Sequence, residues 1–180
     1  MNVSIRKAVV SDASAIASIN INTWKVAYKG IIPQDYLDSR SIVDKIPAWS
    51  QRIRNLGKNK KEMFVAEISS QYRTDIVGFS MGGRSSYDDY DIDGDLNAIY
   101  ILPKYWKQGI GTLLFNAIVK SFLDMNYKTM VIWALKDNSA CNFYLKMGGI
   151  PKFHKTLTYG GKKLDALGFF WENIHSQIKF

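Results

Sequence analysis

Gly109 and Gly111 stand in the run Trp106-Lys107-Gln108-Gly109-Ile110-Gly111-Thr112, between the apolar stretch Ala98 to Leu102 and an amphipathic one beginning at Ile110. A strand, a glycine turn and a helix in that order aim the unpaired amides of a helix N-terminus beyond the strand's end, with the positive pole of the helix dipole. Glycine removes side chains where backbone must approach a ligand closely, so bare N–H groups there can hold a phosphate. Lys104 and Lys107 stand beside the turn and complement negative charge. The spacing predicts a site for an anionic cofactor. A dinucleotide fold would want a third glycine at 114, where this chain has Leu114, and a nucleotide triphosphate loop would need Gly-x-x-x-x-Gly-Lys-Ser/Thr, which is absent.

A second group of reactive side chains lies in Asp137-Asn138-Ser139-Ala140-Cys141-Asn142-Phe143-Tyr144-Leu145-Lys146-Met147-Gly148-Gly149. A tyrosine with a pKa of about 10 stays protonated at neutral pH and can act as a proton donor. Cys141 has no histidine near it in sequence, since the two present are His154 and His175, and it reads as a small buried residue on a helix. Asp88, Asp89, Asp91, Asp93 and Asp95 form an acidic stretch that could draw a cationic amine. Asp89 to Gly94 fits the start of an EF-hand loop, but the twelfth position is Tyr100 and a strand follows, so no metal site is expected.

Taken together these segments resemble the GNAT superfamily of acyl-CoA-dependent N-acetyltransferases. Its pyrophosphate loop reads Arg/Gln-x-x-Gly-x-Gly/Ala; here Trp106 takes the first place, a departure, with Lys107, Gln108, Gly109, Ile110 and Gly111 after it. The segment from Asn138 is similar to the family's Asn-x-x-x-x-Phe-Tyr-x-x-x-Gly-Gly. Ile5-Arg6-Lys7-Ala8, Asp12-Ala13 and Trp24-Lys25-x-Ala27-Tyr28-x-Gly30 are similar to its opening strand and helix. The resemblance spans nearly the whole chain. It implies an α/β (α+β) GNAT fold, with a mixed, mostly antiparallel sheet of about seven strands flanked by four helices.

It also implies acetyl-CoA as cosubstrate, with CoA as product, and direct transfer of acetyl to an amine. Residues 106–112, Thr112 included, would hold the pyrophosphate. Ile99, Tyr100 and Ile101 would offer their backbone to the pantetheine arm as a sheet edge accepts an added strand, and polarise the thioester carbonyl. Asn138 would cap the helix carrying Tyr144 and touch the pantetheine. Tyr144 takes the place of the general acid, and Asp95 that of a general base, with Asp93 and Asp91 as alternatives; a merely solvated acidic loop is the other reading. Trp24, Tyr28 and Tyr36 lie where the family builds its acceptor pocket. A small-molecule amine is the favoured acceptor. Acylation of a protein or peptide amine, and a non-catalytic acyl-CoA-binding regulatory domain, are the alternatives.

The elements must deliver these residues to one place. Val3 to Val9 reads as a strand, and Ser11 as the cap of a helix to about Tyr28 whose apolar face includes Ala13, Ile16, Ala17 and Trp24. A broken helical region follows from Pro33 to about Leu56, interrupted near Pro47. Met63 to Ile68 and Ile76 to Gly83 are strands, Tyr87 to Asp95 is acidic and flexible in character, and Leu96 to Leu102 is a strand. A helix is expected over Ile110 to Met125 and a strand buried on both faces over Thr129 to Leu135. Asn138 to Met147 is a short helix. Pro151 to Tyr159 and Lys162 to Trp171 form a hairpin about Gly160-Gly161.

The 180 residues, 47% of them hydrophobic, suffice for one domain over 1–180 with a real core. A single cysteine excludes an internal disulfide and suits a reducing compartment. With no leader and no spanning run, the expectation is cytoplasmic, with no membrane partner. The net charge of +8 is scattered, apart from Arg52, Arg54, Lys58, Lys60 and Lys61, which read as a helix C-terminus and a solvated loop rather than a nucleic-acid surface. Exposed edges in the C-terminal hairpin would suit a homodimer.

Overall fold

The computed structural model describes residues 2–87 and 91–177, with Gln177 as backbone only. Strands β1 (Asn2–Lys7), β2 (Lys61–Ser69), β3 (Thr74–Arg84), β4 (Gly94–Ile101), β5 (Met130–Leu135), β6 (Ile150–Tyr159) and β7 (Lys162–Trp171) form one sheet, in the order β1-β2-β3-β4-β5-β7-β6. Every neighbouring pair is antiparallel except β4 with β5. Helices α1 (Ala13–Ala27), α2 (Gln34–Asp38), α3 (Ile42–Arg54), α4 (Ile110–Asp124) and α5 (Ala140–Lys146) cover it. On one face Ile16 and Ala17 of α1 and Trp49 and Ile53 of α3 pack on Val65, Phe79 and Ala98. On the other, Phe115, Ile118 and Phe122 of α4 and Tyr144 of α5 pack on Leu96, Ile132 and Phe169. No helix among the described residues is long and apolar enough to cross a membrane.

The first helix starts later than its serine signal. Val10–Asp12 is a 3-10 turn, and Asp12 rather than Ser11 is the N-cap of α1. The Asp12 carboxylate accepts from the Val9 N–H at 2.9 Å and from the Arg6 guanidinium at 2.7 and 2.9 Å. Burial pushes its pKa up, but those bonds outweigh burial and leave it below the usual value. Arg6 also reaches Glu67 of β2, so one guanidinium ties β1, β2 and the start of α1.

The helical region after Pro33 divides at Ser39–Ser41 and not at Pro47, which lies inside α3. The Ser41 hydroxyl accepts the Asp44 N–H at 3.3 Å and starts α3. The N–H that proline lacks would have met the carbonyl of Val43, an exposed residue, where water can replace it.

Nor is the acidic stretch uniformly loose. Asp88, Asp89 and Tyr90, and with them part of the calcium-like run, lie outside the described residues. The Asp93 carboxylate accepts from Lys128 N at 2.7 Å and Thr129 N at 3.1 Å, which fixes the start of β4 at Gly94, two residues ahead of the expected Leu96. Burial raises the Asp93 pKa, these bonds lower it, and the balance is downward. One oxygen of this carboxylate thus serves as a structural acceptor for the segment before β5. The hairpin of β6 and β7 turns on Gly160 and Gly161 with φ of +55° and +77°, the left-handed pair that a two-residue turn demands.

Candidate functional site

The site begins where the sheet opens. β4 and β5 pair only at Gly94 with Met130 and Asp95 with Val131. Immediately beyond, β4 carries a bulge: Leu96 faces Gly82 and Ala98 faces Met81, leaving Asn97 unopposed. A bulge bends its strand, and from Leu96 onward β4 runs free of β5. The Leu102 N–H bonds Val77 O on β3, which sets the phase of the β3–β4 ladder. By antiparallel alternation Tyr100 also turns its backbone to β3, while Ile99 and Ile101 turn theirs to the opening. The Ile101 carbonyl is already engaged, by the Thr23 hydroxyl at 3.1 Å and the Trp106 indole N–H at 2.6 Å. The N–H groups of Ile99 and Ile101 remain as donors along this edge.

The glycine loop follows directly. Lys107 at φ +59° and Gly109 at φ +83° curl the backbone ahead of α4, of which Gly109 is the N-cap. The amides of Thr112 and Leu113 both bond Gly109 O. Those of residues 107 to 111 have no partner among the described residues, and they form the concave row of donors that an anion can occupy. Gly111 lets α4 approach α5: a Cβ there would lie 3.3 Å from the Phe143 ring. Trp106, in the place of the family's Arg or Gln, does not reach into this row, because its indole is tied back to Ile101 O. The Gln108 side chain likewise closes on Lys104 O at 3.0 Å. Ile110 is buried beneath the loop, and the Thr112 hydroxyl lies 4.0 Å from the Met147 sulfur.

On the other wall, the Asn138 side-chain oxygen accepts Ala140 N at 2.9 Å and starts α5. That helix presents Tyr144, which is 6% exposed and packs its ring on Phe143 and Phe169 at 5.4 and 5.6 Å. Burial, then the nearby Tyr100 and Cys141, pushes the Tyr144 phenol well above its ordinary pKa, so it is protonated at any physiological pH. Its hydroxyl makes no hydrogen bond within the described residues, which leaves the proton available. Cys141, half-buried, donates to Leu135 O at 3.3 Å, and burial raises its thiol; it is a packed donor.

A third wall belongs to α1 and the segment after it. Trp24 packs on Tyr28 at 4.7 Å and Tyr159 at 5.6 Å, and Tyr36 lies 5.9 Å from Tyr159. The three predicted aromatics therefore do converge, joined by Tyr159 from the hairpin. Burial first, then Tyr100 and Tyr144, raises the Tyr28 phenol, which places these three phenols within each other's field. Trp24, but neither Tyr28 nor Tyr36, lines a cavity of about 580 Å³ between α1, α3 and β4. Because the bulge repeats one side of β4, Asn97, Ala98 and Tyr100 all line it. The Arg40 guanidinium stacks 3.8 Å over the Trp24 ring, donates to the Asn20 side chain at 3.1 Å and keeps a buried Nε without a partner.

Asp95 is 8% exposed, two residues before the bulge. Burial raises its carboxyl to about 6, against the opposing pull of Lys155, Lys61 and a hydrogen bond with Asn97. Lys155 stacks 3.8 Å over Trp133 and donates to the Tyr87 hydroxyl at 2.9 Å. A carboxylate poised near neutrality can take and return a proton.

The family model described as an acetyltransferase (GNAT) domain matches residues 59–148. The chain belongs to the GNAT acetyltransferase family. It is 26% identical over 172 residues to the uncharacterized N-acetyltransferase YuaI of Bacillus subtilis, covering 96% of this chain and 94% of that one. Its fold is shared with the PaiA N-acetyltransferase of Thermoplasma acidophilum, solved with coenzyme A, at a TM-score of 0.69 and 19% identity over 93% and 98% of the two chains. A putative acetyltransferase, YncA of Salmonella typhimurium, solved with acetyl-CoA, superposes at 0.67 with 18% identity over 94% and 93%.

Within this GNAT chain, Arg40, Tyr159 and Lys155 belong to no motif. Arg40 falls at the break between α2 and α3, and Tyr159 borders the Gly160-Gly161 turn, but what each of the three meets is set by elements distant in sequence.

Proposed function

We propose that residues 1–180 form one acetyltransferase domain that uses acetyl-CoA to acetylate an amine, a small-molecule amine in preference to a protein one, by direct transfer. The observation carrying this reading is the free edge of β4 continuing into the unpartnered amides at 107 to 111. An arm bearing a pyrophosphate at one end and an amide chain at the other needs that sequence of donors. The coenzyme A and acetyl-CoA complexes of the similar structures support the choice of cosubstrate.

In this reading the amides of residues 107 to 111 hold the pyrophosphate, and the Ile99 and Ile101 N–H groups align the amide-bearing arm. Acetyl-CoA supplies the activated acyl group; the protein supplies neighbours for it. Asn138 sets the start of α5 and so the height of Tyr144. As the carbon–sulfur bond breaks, Tyr144 gives its phenolic proton to the departing thiolate and regains one, through water, from the nitrogen that now bears the acetyl group. Asp95 receives the proton that the ammonium of the acceptor must lose, directly or through water, before its nitrogen can attack. Holding acceptor and acyl donor as neighbours contributes much of the remaining acceleration. The test is thiol release from acetyl-CoA across a panel of small amines and lysine peptides, with mass spectrometry of the product. Acetylated small amines support the reading. Coenzyme A binding with no turnover across the panel would instead indicate a binding domain.

A further inference from the structure

We infer that the acceptor carries an acid group, a carboxylate or a phosphate, alongside its amine, and that Arg40 holds that group in the cavity between α1, α3 and β4. The inference rests on the acetyltransferase reading and names the substrate class of the same site.

Four cations line this cavity, Arg40, Lys45, Arg52 and Lys61, and no carboxylate does. None of the four forms an ion pair among the described residues, whereas Arg6, Lys7 and Arg73 each do; Lys61 alone of the four also acts on the buried Asp95 carboxylate. Like charges gathered in a concave, partly desolvated wall repel one another and raise the local potential, a cost that an anionic ligand reverses. Arg40 is the prepared member of the set. Trp24 supports its plane and Asn20 fixes one end, while its Nε is removed from water with nothing to donate to. A guanidinium held in one orientation with donors left over is a fork for a planar or tetrahedral oxyanion. Arg52, stacked 4.9 Å over Trp49, stands at the exposed end as a second contact.

The cations are not placed for the cosubstrate's phosphates. None of residues 104 to 112 lines this cavity, and the α4 loop packs on the opposite face of the sheet. The reacting amine would lie toward Asn97 and Tyr100 of β4, and the acid group toward Arg40. An acceptor with two or more positive charges and no acid would meet the same four cations and be repelled.

The experiment compares acceptors matched in chain length and amine basicity, γ-aminobutyrate against butylamine and aminoethyl phosphate against ethylamine. Thiol release gives kcat/KM, and calorimetry with the enzyme saturated in coenzyme A gives binding without chemistry. The acid-bearing member of at least one pair should be favoured by about tenfold or more, the scale of a charge-assisted contact. The pair that responds tells carboxylate from phosphate. Arg40→Gln should bring the ratio down toward one. Because Arg40 also joins α1 to the segment before α3, Lys45→Gln, which breaks no hydrogen bond, serves as a second variant and should lower the ratio in the same direction. Turnover of neutral and acid-bearing members at equal efficiency would overturn the inference while leaving the acetyltransferase reading intact. Absence of turnover with any amine would count against that reading, and calorimetry would then decide the inference: preferential binding of acid-bearing amines supports it, and none overturns it. Loss of coenzyme A affinity in Arg40→Gln without loss of acid preference would assign the cations to the cosubstrate and overturn it as well.

Discussion

Replacing Asp95 with Asn separates a proton-transfer role from the energetics of a buried charge. Burial carries this carboxyl from 3.8 to about 6 even with Lys155 and Lys61 opposing it. A rise of about two pKa units corresponds to about 3 kcal/mol. The folded state binds this proton more tightly than the unfolded chain does. Its contribution is therefore fully present below about pH 4 and lost as pH rises through about 6. Asp95→Asn should thus be more stable than the parent at about pH 8, by up to about 3 kcal/mol less what Lys155 loses with its counter-charge, and the gain should disappear toward pH 4. Activity should move the other way. If Asp95 takes the acceptor's proton, kcat/KM rises tenfold per pH unit below about 6 and levels above it. Asn cannot take that proton, so the variant depends on free amine, on the order of one part in a thousand at pH 7 for an alkylamine. Its kcat/KM should fall by about 10²- to 10⁴-fold at pH 7 and climb with unit slope toward the amine's own pKa. Thiol release and thermal denaturation, both followed over about pH 5 to 9, give the two profiles. A variant that gains stability yet keeps the parent's level rate above pH 6 refutes the base and leaves Asp95 a buried charge only.

Tyr144→Phe removes a hydroxyl that has no hydrogen bond to lose, so stability and coenzyme A affinity should hold while kcat falls by about 10²- to 10⁴-fold; a drop below about threefold with chemistry rate-limiting retires it as the acid. Gly109→Val meets no neighbouring atom but forces a β-branched residue to φ +83°, so calorimetry should show coenzyme A binding weakened at least tenfold, about 1.4 kcal/mol, as the amide row rearranges. Trp106→Phe deletes the indole bond to Ile101 O; denaturation should register about 1 kcal/mol, with coenzyme A affinity reduced because the loop is no longer pinned to β4.

The fold was legible where chemistry is local. Gly109, Gly111 and the apolar run before them announce a strand, a loop and a helix because those conformations depend on neighbours in sequence. Gly160-Gly161 announces the hairpin for the same reason. Helix starts were less legible, since Ser11 has the right type for a cap but Asp12 is claimed by Arg6, a partner that only the β1–β2 pairing brings into place. Pro47 misled because the carbonyl it leaves without a donor, that of Val43, lies at an exposed residue where water can bond it. The opening between β4 and β5 rests on a bulge at Asn97, a residue with no signature, and on which strands are neighbours.

Charge shows the same limit most sharply. Read along the chain, the aspartates between 88 and 95 seem to offer a cationic amine an attractive approach, and Arg52 to Lys61 seems a solvated basic loop. In space the sorting differs. One oxygen of Asp93 is taken by the amides of Lys128 and Thr129, Asp91 is exposed away from the α1–α3 cavity, and Asp95 is buried within the fields of Lys155 and Lys61. Arg52 and Lys61, separated by the end of α3 and its loop, meet again on that cavity's wall with Arg40 and Lys45. Attraction at a site depends on charges whose field converges there with little water between, and a cluster in sequence spreads its field along a strand and a turn. The charge that this cavity favours is therefore a property of how α1 and α3 close over β4, and the motifs that reveal the acetyl-transfer machinery carry no information about it.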